Sequence, residues 1–297
     1  MRKRALITGA TGFVGTNLIK ELSKQHWQVE AIVRKNSIIE ESIKKMVTPH
    51  VYNGGVNELI SIFKKSKPDV VFHLASLFIA EHESNQIDAL INSNILFSAQ
   101  LLEAMKSSKC RCFINTGTAW QNFRKKEFDP VNLYASTKQA LEAILAYYHD
   151  AHGFSCITLK LFDNYGPNDG RNKIISVLIK TSQNDETIKL SPGNQEIDIS
   201  FIDDIVASFI EAANFLITNQ DSIINSSYFI SGERFTLKSL IKKIESSLKI
   251  KIKAKFGVKP YRKREVMKLI KLNKTDRPPW ENKLKKIKFE EGIKKLL

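Results

Sequence analysis

The chain has 297 residues, of which 42% are hydrophobic and 26% charged, a composition typical of a soluble globular protein with a sizeable core. The three cysteines, Cys110, Cys112 and Cys156, show no C-x-x-C spacing and no nearby pair of histidine ligands, so we expect reduced thiols and no metal site. No apolar run reaches the ~20 residues of a membrane span, and the first strand begins too early for a signal peptide, so we expect a cytoplasmic protein without membrane insertion.

The first half of the chain alternates short apolar strands with helix-length amphipathic segments. The predicted strands are 4–8, 29–33, 50–52, 70–75, 111–116 and 155–161. The predicted helices are one from residue 13 and those near 38–47, 56–66, 86–106 and 133–150. This alternation is typical of right-handed βαβ units, and strands that are apolar throughout predict a doubly wound parallel sheet covered by helices on both faces.

The pattern changes after the glycines and proline of 164–170, where shorter mixed elements begin. The predicted elements are helices near 172–182, from 203 and near 236–247, and strands near 187–190, 198–202, 228–230 and 250–256. We therefore predict an α/β fold with a nucleotide-binding domain over 1–163 and a smaller mixed α/β substrate lobe over 164–297, with some later segments returning to the sheet edge.

A glycine-rich loop joins the first predicted strand to the first helix. Gly9, Gly12 and Gly15 form a G-x-x-G-x-x-G pattern at this position. Glycines there allow a tight turn and close approach of a pyrophosphate, while the helix N-terminus offers amide donors. The pattern predicts a Rossmann-type dinucleotide site, in which Thr11, Phe13 and Val14 of the same loop also contact the cofactor.

The second predicted strand ends in two cations. An NAD-preferring site usually carries an acidic residue here to accept from the ribose 2′-OH, whereas this strand ends in Arg34 and Lys35. A cation at that position would pair with a 2′-phosphate. The sequence therefore predicts NADP(H) as cofactor, with NAD(H) as the alternative if Arg34 faces solvent.

The segment "YASTK" places Tyr134 four residues before Lys138 on a predicted helix, so both lie on one face. An ammonium beside a phenol favours the phenolate, and we expect it to lower the pKa of Tyr134 from its usual ~10. The preceding strand ends in "NTGT", where Thr116 or Thr118 could direct a hydroxyl to the same substrate oxygen.

Motifs along nearly the whole chain resemble the extended short-chain dehydrogenase/reductase family, particularly its nucleotide-sugar epimerase, dehydratase and reductase members. The matching segments are "TGATGFVG" (8–15), "DVVFHLAS" (69–76), "NSNILFSAQLLEA" (92–104), "NTGTAW" (115–120), "YASTK" (134–138), "LKLFDNYGPND" (159–169), "SFIDD" (200–204), "PYRKREVM" (260–267) and "FEEGIKKL" (289–296).

The resemblance implies a role for each residue that matches a family position. Tyr134 is the expected acid/base, Lys138 tunes it and holds the nicotinamide ribose, and Thr118 hydrogen-bonds the reacting oxygen. Asn94 matches a family asparagine that supports the site. The remaining implied cofactor contacts follow the fourth strand and are Leu74, Ala75 and Ser76.

Accessory residues narrow the reaction that the resemblance implies. The Asp-Glu pair of 4,6-dehydratases and the cysteine of the epimerase-reductases that make GDP-fucose are absent, because Thr118 is followed by Ala119, Trp120 and Gln121. What is left is reduction of a keto-sugar by NADPH, and the chain is most similar to CDP-abequose and CDP-paratose synthase-type 4-ketoreductases of O-antigen pathways. An NAD-retaining 4-epimerase is the alternative, and a non-catalytic scaffold that binds RNA or acts as a redox-sensing partner is a third interpretation.

The expected substrate is a CDP-, dTDP- or GDP-linked 4-keto-6-deoxy or 3,6-dideoxy sugar. Two family positions differ, with Asp163 in place of asparagine and Ile197 in place of arginine, so substrate contacts cannot be copied directly. The predicted substrate contacts are Trp120, Gln121, Asp163, Asn164, Arg171, Lys173 and Arg262, of which the last three are cations for the diphosphate.

Other features have structural interpretations. The formal charge of +15 includes lysine clusters at 249–255 and 283–288, but no aromatic ladder accompanies them, so we expect solvated basic faces and no nucleic-acid partner. His73 is expected to be a hydrogen-bonded histidine at a strand end. By resemblance, the helices predicted at 86–106 and 133–150 form a homodimer interface.

Overall fold

A computed structural model describes residues 2–124, 128–219 and 222–297 of the chain. Its strands in chain order are β1 (Arg4–Thr8), β2 (Gln28–Arg34), β3 (Thr48–Tyr52), β4 (Val70–His73), β5 (Cys112–Thr118), β6 (Ser155–Leu161), β7 (Asp163–Tyr165), β8 (Thr187–Lys189), β9 (Glu196–Phe201), β10 (Asn225–Ile230), β11 (Glu233–Thr236) and β12 (Lys253–Lys255).

Helices cover the sheet and build the second lobe. In chain order they are α1 (Phe13–Lys24), α2 (Glu41–Lys44), α3 (Val56–Ser66), α4 (Ile87–Ile91), α5 (Phe97–Lys106), α6 (Leu133–His152), α7 (Ile174–Gln183), α8 (Ile202–Thr218), α9 (Leu237–Leu248) and α10 (Phe289–Lys294). Within the described part of the chain, no helix has both the length and the apolar character that crossing a bilayer requires.

The main sheet has seven strands in the order β10-β6-β5-β4-β1-β2-β3, and every neighbouring pair is parallel. Its central strands are buried on both faces, as their continuous apolar runs predict. Because all strands run the same way, their carboxyl ends and the loops that follow them meet at one edge. The predicted functional residues lie along this edge.

Alternate residues of each strand contribute to two separate cores. Ala5 and Ile7 pack on the side that carries α1 and α8, whereas Leu6 packs on the side that carries α3, α5 and α6. The two-sided packing confirms the predicted doubly wound α/β fold. Strand β10, which comes from the second half of the chain, pairs with β6 at the sheet edge.

The smaller lobe consists of short elements that follow β6. Strands β11, β9 and β7 form a three-stranded sheet in which β11 is antiparallel and β7 parallel to β9, and β8 pairs with β12. Phe201 and Phe289 lie in the same core as Ile7 of β1 and Leu18 of α1, so the lobe packs directly against the seven-stranded sheet and its helices.

Several predicted boundaries are wrong, each for a local physical reason. The helix predicted at 38–47 is only the single turn α2, since Ile43 is its one buried residue and Ile38 is 88% exposed. The helix predicted at 86–106 is divided into α4 and α5 by a π-helical turn, Asn92–Leu96. The strand predicted at 250–256 is limited to β12, and β7, β11 and α10 were not predicted because each has only three to six residues.

Candidate active site

The glycine loop forms a closed turn between β1 and α1. Gly9 has φ +73°, and a Cβ there would lie 2.6 Å from the Ala75 nitrogen; a Cβ on Gly15 would lie 2.2 Å from the Gly9 carbonyl oxygen. These two positions require glycine. Gly12 is the N-cap of α1 and has no side chain to bond the first amides of the helix, which point toward the sheet edge. Of the neighbouring residues, Thr11 is exposed, and Phe13 and Val14 are half-buried.

A buried hydrogen-bond network joins this loop to the end of β4. His73 is fully buried, with Nδ1 2.8 Å from the Thr8 hydroxyl and Nε2 2.8 Å from the Ser98 hydroxyl. Ser98 donates to the Asn94 carbonyl oxygen, and the Thr8 hydroxyl accepts from the Ala75 amide. The prediction of a hydrogen-bonded structural histidine is confirmed.

Asn94 extends the network to the helix of the tyrosine and lysine. Its Oδ1 accepts from the Leu77 amide at 2.7 Å and the Ser76 hydroxyl at 3.1 Å. Its Nδ2 donates to the Leu77 carbonyl and the Thr137 hydroxyl, both at 3.0 Å. All four hydrogen-bonding positions of the amide are therefore used inside the protein, and Asn94, 1% exposed, supports the loop 74–78.

Helix α6 begins at Leu133, one residue before the tyrosine. Asn132 is its N-cap, accepting from the Ala135 amide at 2.9 Å and donating to the Ala80 carbonyl at 2.8 Å. This cap fixes Tyr134 in the first turn and Lys138 one turn later on the same face. Lys138 is 1% exposed, and among the described residues no acceptor hydrogen-bonds its ammonium.

The predicted lowering of the tyrosine pKa is wrong. Burial raises the pKa of Tyr134 to about 12, and a hydrogen bond with Ser76 only partly opposes the rise. Burial also lowers the pKa of the Lys138 ammonium to about 8. Desolvation disfavours the charged form of each group and is the largest cause of both shifts. At neutral pH the phenol is consequently protonated and Lys138 is still mostly charged.

Strand β5 brings two threonine hydroxyls to the same side, because residues two apart in a strand share a face. The Thr118 Oγ accepts from the Trp120 amide at 3.3 Å and caps a short 3₁₀ turn, Ala119–Gln121, which leaves its own proton free to donate. The Thr116 hydroxyl is buried and has no hydrogen-bond partner among the described residues. Gln121, predicted as a substrate contact, is fully buried below this turn.

An aromatic cluster lies against Tyr134. The Phe78 ring meets the Tyr134 ring edge-on at 4.9 Å between centroids and the Trp120 ring at 5.8 Å. Lys173 Nζ lies 4.5 Å from the Phe78 centroid, and the Arg262 guanidinium lies 6.0 Å from that of Trp120. The structure therefore gathers three predicted substrate contacts around the tyrosine, and Asp163 joins them through a 3.7 Å ion pair with Lys173.

Arg171 is engaged within the chain. Its guanidinium donates to both carboxylate oxygens of Asp169 and to the carbonyl and side-chain oxygens of Asn164. The same group lies 4.3 Å from the centroid of Phe13 in the glycine loop. Arg171 therefore ties the smaller lobe to the glycine loop, and only its other terminal nitrogen, Nη1, is left for a ligand.

The second strand ends beside a shallow depression of about 510 Å³. Arg34 and Lys35 line it together with Asn36, Ser37, Tyr52 and Asn53, and its lining contains no carboxylate. The Arg34 amide donates to the Ser37 hydroxyl at 3.1 Å, which closes the turn that carries both cations. The depression lies at the same sheet edge as the glycine loop and is lined with groups that suit an anion.

Phe78 is the site residue that the sequence analysis missed. It belongs to the loop that follows β4 and is 45% exposed although it touches both Tyr134 and Trp120. The apolar run "LASLFIA" (74–80), which continues past the end of a strand, was the available signal. An exposed aromatic residue in a loop at the functional edge is a stronger indication of a binding role than an aromatic residue buried within the strand.

Comparison with known proteins gives consistent matches. The sequence model of the NAD dependent epimerase/dehydratase family matches residues 5–225. A CDP-abequose synthase from Yersinia pseudotuberculosis is 30% identical over 210 residues, which cover 70% of this chain and 72% of that protein. A CDP-abequose synthase from Salmonella muenchen is 26% identical over 302 residues, covering 100% of this chain and 98% of that protein.

Solved structures match over nearly the full length. A UDP-glucuronic acid 4-epimerase from Bacillus cereus, in complex with UDP-glucuronic acid and NAD, superposes with a TM-score of 0.82 at 21% identity, covering 98% of this chain and 96% of that one. The UDP-glucose 4-epimerase of Thermotoga maritima gives 0.81 at 20% identity, with the same coverage of both chains. At these identities the two structures establish the fold.

Proposed function

Because the chain belongs to the NAD-dependent epimerase/dehydratase family, we propose that it is an oxidoreductase that reduces a nucleotide-linked 4-keto-6-deoxy or 3,6-dideoxy sugar to the 4-hydroxy sugar with NADPH. The CDP-abequose synthases among its relatives support a CDP-linked substrate and a place in O-antigen sugar biosynthesis. dTDP- and GDP-linked sugars are the other substrates that the proposal includes.

The proposed direction of the reaction rests on the similarity to CDP-abequose synthases and on the cations at the end of β2, and a protonated Tyr134 agrees with it. Reduction of a ketone consumes a proton at the oxygen, whereas oxidation of a sugar alcohol begins with removal of one. With its pKa raised to about 12 by burial, the Tyr134 phenol holds its proton at neutral pH and is suited to donate it.

Each proposed catalytic group then has one task. A bound nicotinamide would supply the hydride to the carbonyl carbon. Tyr134 donates its phenol proton to the carbonyl oxygen as the C=O double bond becomes an alcohol, and Thr118 donates a hydrogen bond to the same oxygen. The Lys138 ammonium has no hydrogen-bond acceptor among the described residues. In the proposed mechanism it holds the ribose hydroxyls and stabilises the phenolate left on Tyr134.

The proposed cofactor contacts follow the sheet edge. The amides and glycines of residues 9–15 receive the pyrophosphate, and Leu74, Ala75 and Ser76 line the nicotinamide half, with Asn94 holding that loop in place. Arg34 and Lys35 receive the 2′-phosphate of NADPH in their carboxylate-free depression. The unpartnered Lys138 ammonium and the glycine cradle are the features of this chain that fit a dinucleotide.

The proposed sugar site is the aromatic cluster around Tyr134. Phe78 and Trp120 offer apolar surfaces to a deoxygenated sugar ring, and Lys173 and Arg262 offer cations to the diphosphate. We propose Asp163, Asn164 and Arg171 as residues at the margin of this site. The support is the ion pair of Asp163 with Lys173 and the hydrogen bond from Arg171 to Asn164.

We also propose a homodimer through α4, α5 and α6. These helices lie side by side, and large apolar side chains are exposed on α4, on α6 and on the π-helical turn between α4 and α5. They are Ile87 (40% accessible), Ile91 (37%), Leu96 (47%) and Tyr147 (59%). Exposed apolar residues grouped on adjacent helices are typical of a subunit interface.

The test is to incubate the protein and NADPH with CDP-, dTDP- and GDP-linked 4-keto-6-deoxyglucose and to follow the loss of NADPH absorbance. We expect turnover with at least the CDP-linked sugar and a 4-hydroxy product in the NMR spectrum. A protein that purifies with bound NAD and interconverts 4-hydroxy sugars without consuming NADPH would instead be a 4-epimerase, the second candidate, which the family match also accommodates.

A further inference from the structure

Gln121 makes its contacts behind the proposed catalytic threonine. Its side chain is fully buried, and Oε1 accepts a hydrogen bond from the Thr118 amide at 2.8 Å. Its Nε2 donates to the Gln139 Oε1 at 3.2 Å and to the Glu142 Oε1. The amide oxygen therefore binds β5, and the amide nitrogen binds two residues of α6.

The amide lies on the face of β5 opposite to the threonine hydroxyls. A Cβ on Gly117 would lie 2.8 Å from the Gln121 Oε1 and 2.8 Å from the Thr158 methyl. The Cβ direction of residue 117 is opposite to that of Thr116 and Thr118, because adjacent residues of a strand face opposite ways. Gln121 therefore supports the strand end from behind and does not line the sugar site.

A buried ion pair holds Gln121 in turn. Lys160 Nζ lies 3.3 Å from the Glu142 Oε1, and the two side chains are 8% and 19% exposed. Lys160 also donates to the Asn122 Oδ1 at 3.3 Å. A buried ion pair is stable only when its remaining hydrogen-bonding positions are satisfied, and the Gln121 amide satisfies one on Glu142. The pair and the amide form one network.

This network connects the elements that carry the proposed catalytic groups. Gln121 follows β5, which ends in Thr118, while Glu142 lies in α6 one turn beyond Lys138 and two turns beyond Tyr134. Lys160 joins from β6, the neighbour of β5 in the sheet. The strand end that carries the Thr118 hydroxyl and the helix that carries the Tyr134 phenol are therefore joined by a hydrogen-bonded contact.

We propose that Gln121, held by Glu142 and Lys160, is a positioning residue that fixes the Thr118 hydroxyl relative to Tyr134 at the reacting oxygen. The inference rests on the proposed function, since it takes Thr118 and Tyr134 as the groups that meet the substrate. Without the amide, the buried Thr118 N–H loses its acceptor and the 3₁₀ turn that begins there loses one half of its capping box. The threonine hydroxyl would then lose its fixed direction.

The main test is Gln121→Met, which removes the amide and keeps the length of the side chain. With NADPH and the CDP-linked keto-sugar, we expect kcat to fall about 10- to 100-fold, since a misplacement of about 1 Å has that effect. The KM for each substrate should change by less than about twofold, because the lost interaction is made in the transition state. If the variant does not fold, Gln121→Asn, which withdraws the amide by one methylene group, should give the same fall.

Two further variants separate positioning from general packing. Gln139→Met removes another partner of Gln121 and leaves the contact to Thr118 intact, so kcat should stay within about twofold of wild type. Gln121→Glu keeps an acceptor for the Thr118 amide but sets a carboxylate against that of Glu142, so its kcat relative to wild type should recover only at acid pH, where the two carboxylates share a proton. A purely structural role would lower the melting temperature of these variants without separating their kcat values.

The outcomes distinguish this inference from the function on which it rests. If wild type turns over the keto-sugar and Thr118→Val and Tyr134→Phe are impaired, but Gln121→Met has normal kcat, the positioning role alone is refuted. If wild type reduces no keto-sugar, or Thr118→Val is as active as wild type, the proposed function fails and the inference fails with it. An equal fall in kcat in Gln121→Met and Gln139→Met would also refute a specific action of Gln121 through Thr118.

Discussion

The stability of the protein should fall below about pH 6.5 because of one buried histidine. His73 is fully buried, and both ring nitrogens are hydrogen-bonded to hydroxyls, at 2.8 Å from Thr8 and 2.8 Å from Ser98. Burial, and to a smaller extent the charge of Lys138, lower the pKa of His73 from 6.5 to about 3. The ring is therefore neutral in the folded protein over the whole range in which a free histidine takes up a proton.

The sign of the effect follows from proton uptake. Between about pH 6.5 and pH 3 the unfolded chain binds a proton at this residue and the folded chain does not, so acid favours the unfolded state. Each pH unit within that window corresponds to about 1.4 kcal/mol, so lowering the pH from 6.5 to 5 should reduce the free energy of unfolding by about 2 kcal/mol through His73 alone. The contribution is complete and constant only about one pH unit above 6.5, where the unfolded histidine is also neutral.

The assay is urea unfolding at about pH 6.5 and pH 5, with wild type beside His73→Gln. The glutamine amide can accept from Thr8 and donate to Ser98, but it does not titrate. All other groups titrate alike in both proteins. The difference between the two proteins in the free energy of unfolding lost on acidification is therefore due to the histidine. We expect wild type to lose about 2 kcal/mol more than the variant over this interval. Equal losses would refute the assignment of a buried neutral His73.

Four further predictions concern the proposed site and interface. Tyr134→Phe should bind NADPH with unchanged affinity in a fluorescence titration and lose about 10²- to 10⁴-fold in kcat, and near-normal turnover would exclude its role as proton donor. Arg34→Ala should raise the KM for NADPH about 10-fold or more and leave that for NADH unchanged; a wild type that prefers NADH would contradict this assignment. The kcat/KM profile should be flat below and fall above about pH 8, where Lys138 loses its charge as pH rises through its lowered pKa, and a profile flat to pH 9.5 would oppose the ribose-holding role. Leu96→Glu should convert a dimer to a monomer in light scattering, since it adds charge to a side chain that is 47% exposed among apolar neighbours, whereas a monomeric wild type would remove the dimer proposal.

The parts of the structure that sequence alone predicted are those fixed by local geometry. The spacing of Gly9 and Gly15 corresponds to two positions where a Cβ would collide with backbone atoms, so the loop could be recognised without knowing its surroundings. Tyr134 and Lys138 share a face because a helix repeats every 3.6 residues. The alternation of strands and helices likewise restricted the fold to a parallel, doubly wound sheet.

The features that sequence did not predict depend on long-range contacts. Gln121 and Glu142 are 21 residues apart, and their hydrogen bond places the glutamine behind Thr118 and not in the sugar site. The Arg171 guanidinium lies 4.3 Å from the ring centroid of Phe13, a residue of the distant glycine loop. Phe78 reaches Tyr134 only because the loop after β4 is held by Asn94.

The pKa of Tyr134 was predicted in the wrong direction for a related reason. The i,i+4 spacing gave the sign of the interaction with Lys138, but it carried no information about desolvation. In the folded chain, burial acts on both groups, raising the pKa of Tyr134 to about 12 and lowering that of Lys138 to about 8. In the folded chain Tyr134 is therefore a phenol that holds its proton at neutral pH, and not the phenolate that the spacing predicted.

Isotope transfer tests the proposed reduction most directly. NADPH carrying deuterium at the transferring position of C4 would be incubated with CDP-4-keto-6-deoxyglucose and the protein, and the product examined by NMR. We expect deuterium at C4 of the sugar, with one NADPH consumed for each 4-hydroxy sugar formed. Product without deuterium, or interconversion of 4-hydroxy sugars with no loss of NADPH, would contradict the account.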